Sequence, residues 1–289
     1  MSAISMHGLS KTYKGKRGAK VVALRNLDLE IGAGEIFGFL GPNGAGKSTT
    51  IKTLMGLITP TSGRALIMGK DVSSPEARRH VGFLPENPAF YDYLSAAEYL
   101  SFVGRIFKME AHQLERKSEE VLKMLNLWDA RKRLMRGYSK GMVQRVGLAQ
   151  ALLHDPDVYV LDEPMSGLDP IGRTLVKEII QDLKQRGKSV FFSTHITSDV
   201  ESVCDRVGVI VKGEMKCVRR VDEIAEGGIT GYEVRHLASG SDSPESITVS
   251  TGDLPAIMSE LQSIGSNILV VEPIRKNLEE FFVDIVRQE

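Results

Sequence analysis

Short apolar runs and amphipathic stretches alternate along the chain, and their period separates strands from helices. In VVALRNLDLEIGAGEIFGFL, 21–40, Val22, Leu24, Leu27, Leu29 and Ile31 partly alternate with polar residues until glycines at 32 and 34 turn the chain. Two short strands are predicted, one before the turn and one at EIFGFL. After GPNGAGKSTT, Ile51, Leu54, Met55 and Ile58 share one side of a helix that ends before the PTSG turn at 60–63.

From about 88 to 154 the spacing is largely helical. Ser95 followed by Glu98 has the form of a capping box, with Leu94 and Tyr99 as its hydrophobic staple. Leu114, Val121, Met124 and Leu125 lie roughly on one stripe of a helix over 112–127. VYVLDE at 158–163 and SVFFSTH at 189–195 are short apolar runs that suit parallel strands covered on both faces, with a helix over about 171–186 between them. RVGVIVKGEMKCV, 206–218, predicts two strands joined across Lys212 and Gly213. SGSDSPE at 239–245 is a polar turn or linker. Leu278, Phe281, Phe282, Ile285 and Val286 give the last segment helical spacing. Residues from about 226 to 289 are expected to form a small α+β accessory domain after a first domain over 1–225.

Composition narrows the classes. With 289 residues and 42% hydrophobic content the chain can bury a sizeable core, which excludes wholesale disorder. Lys plus Arg and Asp plus Glu both total 37, and this neutral balance leads to no nucleic-acid partner being expected. KGKRGAK at 14–20 reads as a solvated basic loop. Cys204 and Cys217 have no metal-like spacing, so a zinc site or disulfide framework is not expected and a reducing compartment fits. No signal-peptide core opens the chain, and no stretch approaches the ~18 apolar residues of a membrane span. A soluble chain is expected.

The chemistry starts in the loop after EIFGFL. Gly41, Gly46, Lys47 and Ser48 fill the phosphate-loop pattern Gly-x4-Gly-Lys-Ser/Thr between a predicted strand and a predicted helix, the context the motif needs. Backbone N–H groups of Gly41, Asn43, Gly44, Ala45 and Gly46, in a loop that Pro42 helps to shape, can wrap phosphate oxygens, and a helix N-terminus behind them favours negative charge. Lys47 would reach the β- and γ-phosphates, Ser48 would bind Mg²⁺, and Thr49 adds a donor. At the end of VYVLDE, Asp162 can hold the same Mg²⁺ and Glu163 can polarise a water as general base. Two adjacent carboxylates at the end of a buried strand thereby find a purpose.

These residues together resemble the ATP-binding subunit of an ABC transporter, over approximately residues 4–225. YSKGMVQRVGLAQALLHDPDVYVLDEPMSGLDP, 138–170, is similar to the family's signature motif running into Walker B and the D-loop. The resemblance makes His195 the switch histidine that contacts the γ-phosphate, Tyr13 the aromatic that stacks on adenine, and Asp169 the residue that links two sites. Ser139 and Gly141 of the signature are implied to touch the γ-phosphate of ATP held by a second cassette. A head-to-tail dimer, read as a homodimer, follows, with ATP and Mg²⁺ as cofactors and a separate multi-span permease as partner. Glu86 stands where the family has its Q-loop glutamine, and Lys140-Gly141-Met142 replaces the usual Gly-Gly-Gln. Both variants, and the short tail, resemble the exporter branch that handles drugs and polysaccharides.

The implied fold is α/β: a P-loop NTPase core, RecA-like, with a mostly parallel sheet, an antiparallel β portion, a helical signature subdomain over about 88–154, and the α+β tail. The implied place is the cytoplasmic face of the cell membrane. A non-transport ABC ATPase acting on ribosomes or DNA, and an ATP-binding regulatory module without turnover, are the alternatives from other classes.

Overall fold

The computed structural model describes residues 2–15, 19–227, 229–238, 243–275 and 278–287. Parts of the basic loop at 14–20 and of the polar turn at 239–245 lie outside them. Two compact units divide after Val218, where the sequence placed the boundary after 225.

The first unit opens with β1 (Ser2–Lys14), β2 (Lys20–Gly32), β3 (Ile36–Leu40) and α1 (Lys47–Leu54). β4 (Ser62–Ile67), β5 (Lys70–Asp71), α2 (Pro75–Arg78) and β6 (Val81–Leu84) follow. Helices α3 (Ala96–Ile106), α4 (Ala111–Met124) and α5 (Lys140–Leu152) then separate β6 from β7 (Val158–Asp162). Next come α6 (Pro170–Gln185), β8 (Ser189–Thr194), α7 (Thr197–Val203), β9 (Arg206–Val211) and β10 (Glu214–Arg220). One sheet runs β2-β1-β4-β5 and is antiparallel. The other runs β10-β9-β3-β8-β7-β6, with β9, β3, β8, β7 and β6 parallel to one another. This is the mixed α/β architecture that the sequence implied.

The parallel strands are apolar throughout because both faces are covered, and the strand period of two deals their residues to two layers. Val158, Val160 and Phe191 join Leu24, Leu27 and Ile31 in the layer that includes the antiparallel sheet. Tyr159, Leu161, Val190 and Phe192 join Val146, Val176 and Ile180 of the helices. Phe191 also packs against Phe39, ring centroids 5.3 Å apart. Each such side chain contributes roughly 1.5–3 kcal/mol by burial, so β3, β7 and β8 are held from both sides. Their C-terminal ends carry the candidate chemistry.

Some local expectations hold and others need correction. Ser95 and Glu98 make the reciprocal capping box of α3, and Lys212 and Gly213 turn β9 into β10 with φ of 49° and 83°. The helix after the phosphate loop is shorter than its apolar stripe suggested. It ends at Leu54, and the left-handed Gly56 (φ 64°) leaves Ile58 outside it. Strand β1 was not legible at all, because register shifts interrupt its pairing with β2. Its buried residues Ala3, Ile4, Met6 and Leu9 therefore break the period of two.

In the second unit, α8 (Val221–Gly227) leads to β11 (Ile229–Leu237), β12 (Glu245–Ser250), α9 (Leu254–Ser263), β13 (Asn267–Arg275) and α10 (Leu278–Arg287). The antiparallel order is β12-β11-β13. Val234, Val249 and Leu261 form its buried centre, with α9 supplying Leu261. The division falls near the end of β10, whose last two residues, Arg219 and Arg220, belong to the second unit with α8, which packs on β13 and α10.

One histidine makes the fold sensitive to acid. Phe107 stacks on His154 with ring centroids 3.8 Å apart, and burial pushes this imidazole from 6.5 down to about 4. The native state keeps the ring neutral where the unfolded chain takes up a proton. The resulting stability is complete above pH 6.5 and is lost as pH falls toward 4, by up to about 3 kcal/mol. Urea unfolding across that range should show the loss, and His154→Leu should flatten it; an unchanged profile would contradict the assignment.

Candidate active site

The loop between β3 and α1 is shaped by its backbone. Gly46 caps α1 at φ 111°, and a Cβ there would lie 2.7 Å from the Ala23 carbonyl oxygen. Only glycine meets both demands. Gly41 is tied to β8 through its N–H and the Thr194 carbonyl, 3.3 Å, and Ala45 closes on Pro42, 3.2 Å. The first-turn N–H groups of α1, with no carbonyl four residues back, face a cleft of about 330 Å³. Asn43, Gly44, Ser48, Thr49 and Glu86 line it, and Glu163 closes one side.

Lys47 is buried at the floor of this cleft. Its ammonium donates to the carbonyls of Gly41 (2.7 Å) and Pro42 (3.3 Å) and lies 3.6 Å from Glu163 Oε1. Both Glu163 oxygens are 3.0 Å from His195 Nδ1; with a carboxylate as acceptor, that nitrogen is the donor. Lys47, Glu163 and His195 thus meet.

Asp162 ends β7 at 3% exposure. Burial is the main cause that pushes its carboxyl above the usual range. Ser193 opposes the shift by donating to Oδ1 at 2.5 Å, and the Ser48 hydroxyl does so too, while the charges of Glu86 and Glu163 add to it. Ser48, Asp162 and Glu86 are therefore within electrostatic reach of one another. Among the described residues no group of three or more His, Cys, Asp or Glu forms a metal cage. A hydroxyl and a buried carboxylate whose charge is crowded by others suit Mg²⁺, which takes one or two carboxylates and completes its shell with phosphate and water.

Other expected residues stand apart. Tyr13 is 37% exposed on β1, paired with Val21 and covered by the Lys11 ammonium at 5.2 Å from its ring; the cleft lining reaches Ala23 but not Tyr13. Ser139 is exposed and caps α5, accepting from the Met142 N–H at 3.3 Å. Ser139 and Gly141 do not line the phosphate-loop cleft. Asp169, exposed, caps α6 through the Gly172 N–H at 2.8 Å.

Sequence reasoning missed three contributors. Ser193 bridges Asp162 and the Glu163 N–H. Gln144, buried on α5, donates to the Glu163 and Pro164 carbonyls. Asp199 on α7, 1% exposed, takes Arg173 of α6 at 2.7 Å. The available signal was a polar residue on an otherwise apolar face, as at Gln144 one turn before the buried Leu148.

Comparison with known proteins identifies the family. The ABC transporter family model covers residues 24–166. An uncharacterized ABC transporter ATP-binding protein of Synechocystis sp. is 40% identical over 283 residues, 93% of this chain and 80% of the relative. The chain belongs to the ABC transporter ATP-binding proteins. A solved ATP-binding subunit of an ABC transporter aligns at TM-score 0.71 and 30% identity, over 78% of this chain and 92% of that one. A dimeric, post-hydrolysis ATP-binding cassette bound to ADP and Pi aligns at TM-score 0.69 and 26% identity, over 75% of this chain and 98% of that one. As a member of the family, this ABC subunit is an ATP-binding ATPase.

The backbone of the ABC phosphate loop can be tested directly. Gly46→Ala forces a side chain into a left-handed conformation and against Ala23, costing on the order of 1–3 kcal/mol. The expected result is a lower melting temperature together with loss of binding to a fluorescent ATP analogue. Unchanged binding would show that the loop adopts another path.

Proposed function

We propose that this ABC subunit is the motor of a transporter, using Mg²⁺-ATP to close on a second copy of itself and to drive a separate multi-span permease. The observation that carries the reading is the convergence of Glu163 on Lys47 and His195 beside the phosphate loop. A subunit that only held ATP would have no use for a buried carboxylate poised at that point. Backbone N–H groups and Lys47 bind the phosphates. Ser48 and Asp162 hold Mg²⁺, with Glu86 near it, and the ion supplies charge neutralisation at the β- and γ-phosphates. Glu163 takes the proton from the attacking water. His195 orients the Glu163 carboxylate and contacts the γ-phosphate. Tyr13 stacks on adenine.

Ser139 and Gly141 act on the ATP of the second copy, and Asp169 joins the two sites. The exposure of Ser139 and Asp169, and the absence of all three from the lining of the chain's own cleft, support this division. The dimeric cassette among the solved relatives supports it too. Among the described residues no helix is long and apolar enough to cross a membrane, so on this reading the subunit works peripherally on the cytoplasmic face and the permease forms the path. Export is favoured by the Ser139-Lys140-Gly141-Met142 signature, by Glu86 and by the short tail.

Glu163→Gln should bind ATP yet lose turnover by about 10²- to 10⁴-fold, measured as steady-state phosphate release; near-normal hydrolysis would remove the base assignment. Tagged Glu163→Gln with Mg²⁺-ATP should recover a multi-span membrane protein from detergent-solubilised host membranes. Recovery of ribosomal or DNA-repair proteins alone would overturn the transport reading.

A further inference from the structure

The backbone of Glu163 is constrained from both ends. Its φ of 49° lies in the left-handed region, which a residue with a side chain adopts only when its surroundings impose it. Toward β8, its N–H reaches the Ser193 carbonyl at 3.2 Å and the Ser193 hydroxyl at 3.1 Å. On the other side, the carbonyls of Glu163 and Pro164 lie beyond the end of β7. Gln144 answers both, its Nε2 lying 3.3 Å from each oxygen. Two carbonyl neighbours accept only the NH₂ half of an amide, so the chemistry fixes which way Gln144 points. At 4% exposure this side chain has little water to replace the bonds if they are lost.

Gln144 belongs to α5, the helix that Ser139 caps. The two residues are five positions apart, about 7 Å along the helix axis. The helix is also seated tightly on β6, since a Cβ at Gly147 would lie 2.5 Å from Leu84 Cδ1. A displacement at the Ser139 end is therefore carried to Gln144 by a stiff element.

We propose that Gln144 is a positioning residue for hydrolysis, which holds the Glu163–Pro164 backbone and ties the aim of Glu163 to the helix that begins at Ser139. The inference rests on the reading of Glu163 as general base and of Ser139 as the contact to the second copy's nucleotide. Engagement of Ser139 with that nucleotide then sets the Glu163 of the same chain, and each site's closure is transmitted to the other through α5.

The test compares steady-state ATPase of Gln144→Met, Gln144→Glu and Glu163→Gln with wild type, alongside titration of a fluorescent ATP analogue and thermal melting. Methionine keeps the length and removes the donor; glutamate keeps the shape and puts acceptors in its place. The expected result is a fall in kcat of about 10²-fold, the scale of a misplaced catalytic group, with KM and nucleotide affinity unchanged. If one variant fails to fold, the other decides. Wild-type kcat in a folded variant overturns the inference, as does a loss of affinity that matches the loss of kcat. Normal turnover by Glu163→Gln would bring down the base assignment and this inference together. Normal turnover by the Gln144 variants beside an inactive Glu163→Gln would bring down this inference alone.

Discussion

Lys47 and Glu163, 3.6 Å apart with side chains 7% and 10% exposed, are the ion pair around which the rest of the site is arranged. Asp162 lies next to Glu163 at 3% exposure, so two carboxylates leave water at the end of one strand. Burying charge costs several kcal/mol per ion unless partners are supplied. Here the partners come from separate elements: Lys47 from α1, Ser193 from β8, and His195 just after it. Each of those elements must sit on its neighbour for the charges to be tolerated, which is why β3, β7 and β8 lie side by side in the sheet. Removing one partner leaves the others exposed to the full penalty, so deletions here lower stability as well as turnover.

The same arrangement joins the two sheets to the chemistry. The layer of Phe37, Phe39 and Phe191 under the antiparallel sheet fixes β3 and β8, whose ends carry Gly41 and His195. The helical layer fixes β7 through Tyr159 and Leu161, and its helix α5 reaches Glu163 by way of Gln144. Arg173 and Asp199 connect α6 to α7 beside the same cluster.

Features encoded over a few consecutive residues were legible in the sequence. The phosphate loop, the Asp162–Glu163 pair and the Ser95–Glu98 capping box all depend on local spacing, and the apolar runs of β7 and β8 revealed a sheet covered on both faces. Features that depend on long-range packing were hidden. Gln144 and Glu163 are 19 residues apart, and nothing in either segment alone says that an amide from one satisfies carbonyls of the other. Strand β1 was lost because shifts in its register disturb the period of two. The unit boundary moved because α8, polar by pattern, packs with β13 and α10.

Ser139, Gly141 and Asp169 do not line the chain's own phosphate-loop cleft, and the account explains this by a second copy. Light scattering coupled to size exclusion of Glu163→Gln, with and without Mg²⁺-ATP, tests that claim most directly. The account requires a mass of one chain without nucleotide and of two chains with it. A single-chain mass at saturating Mg²⁺-ATP would contradict it.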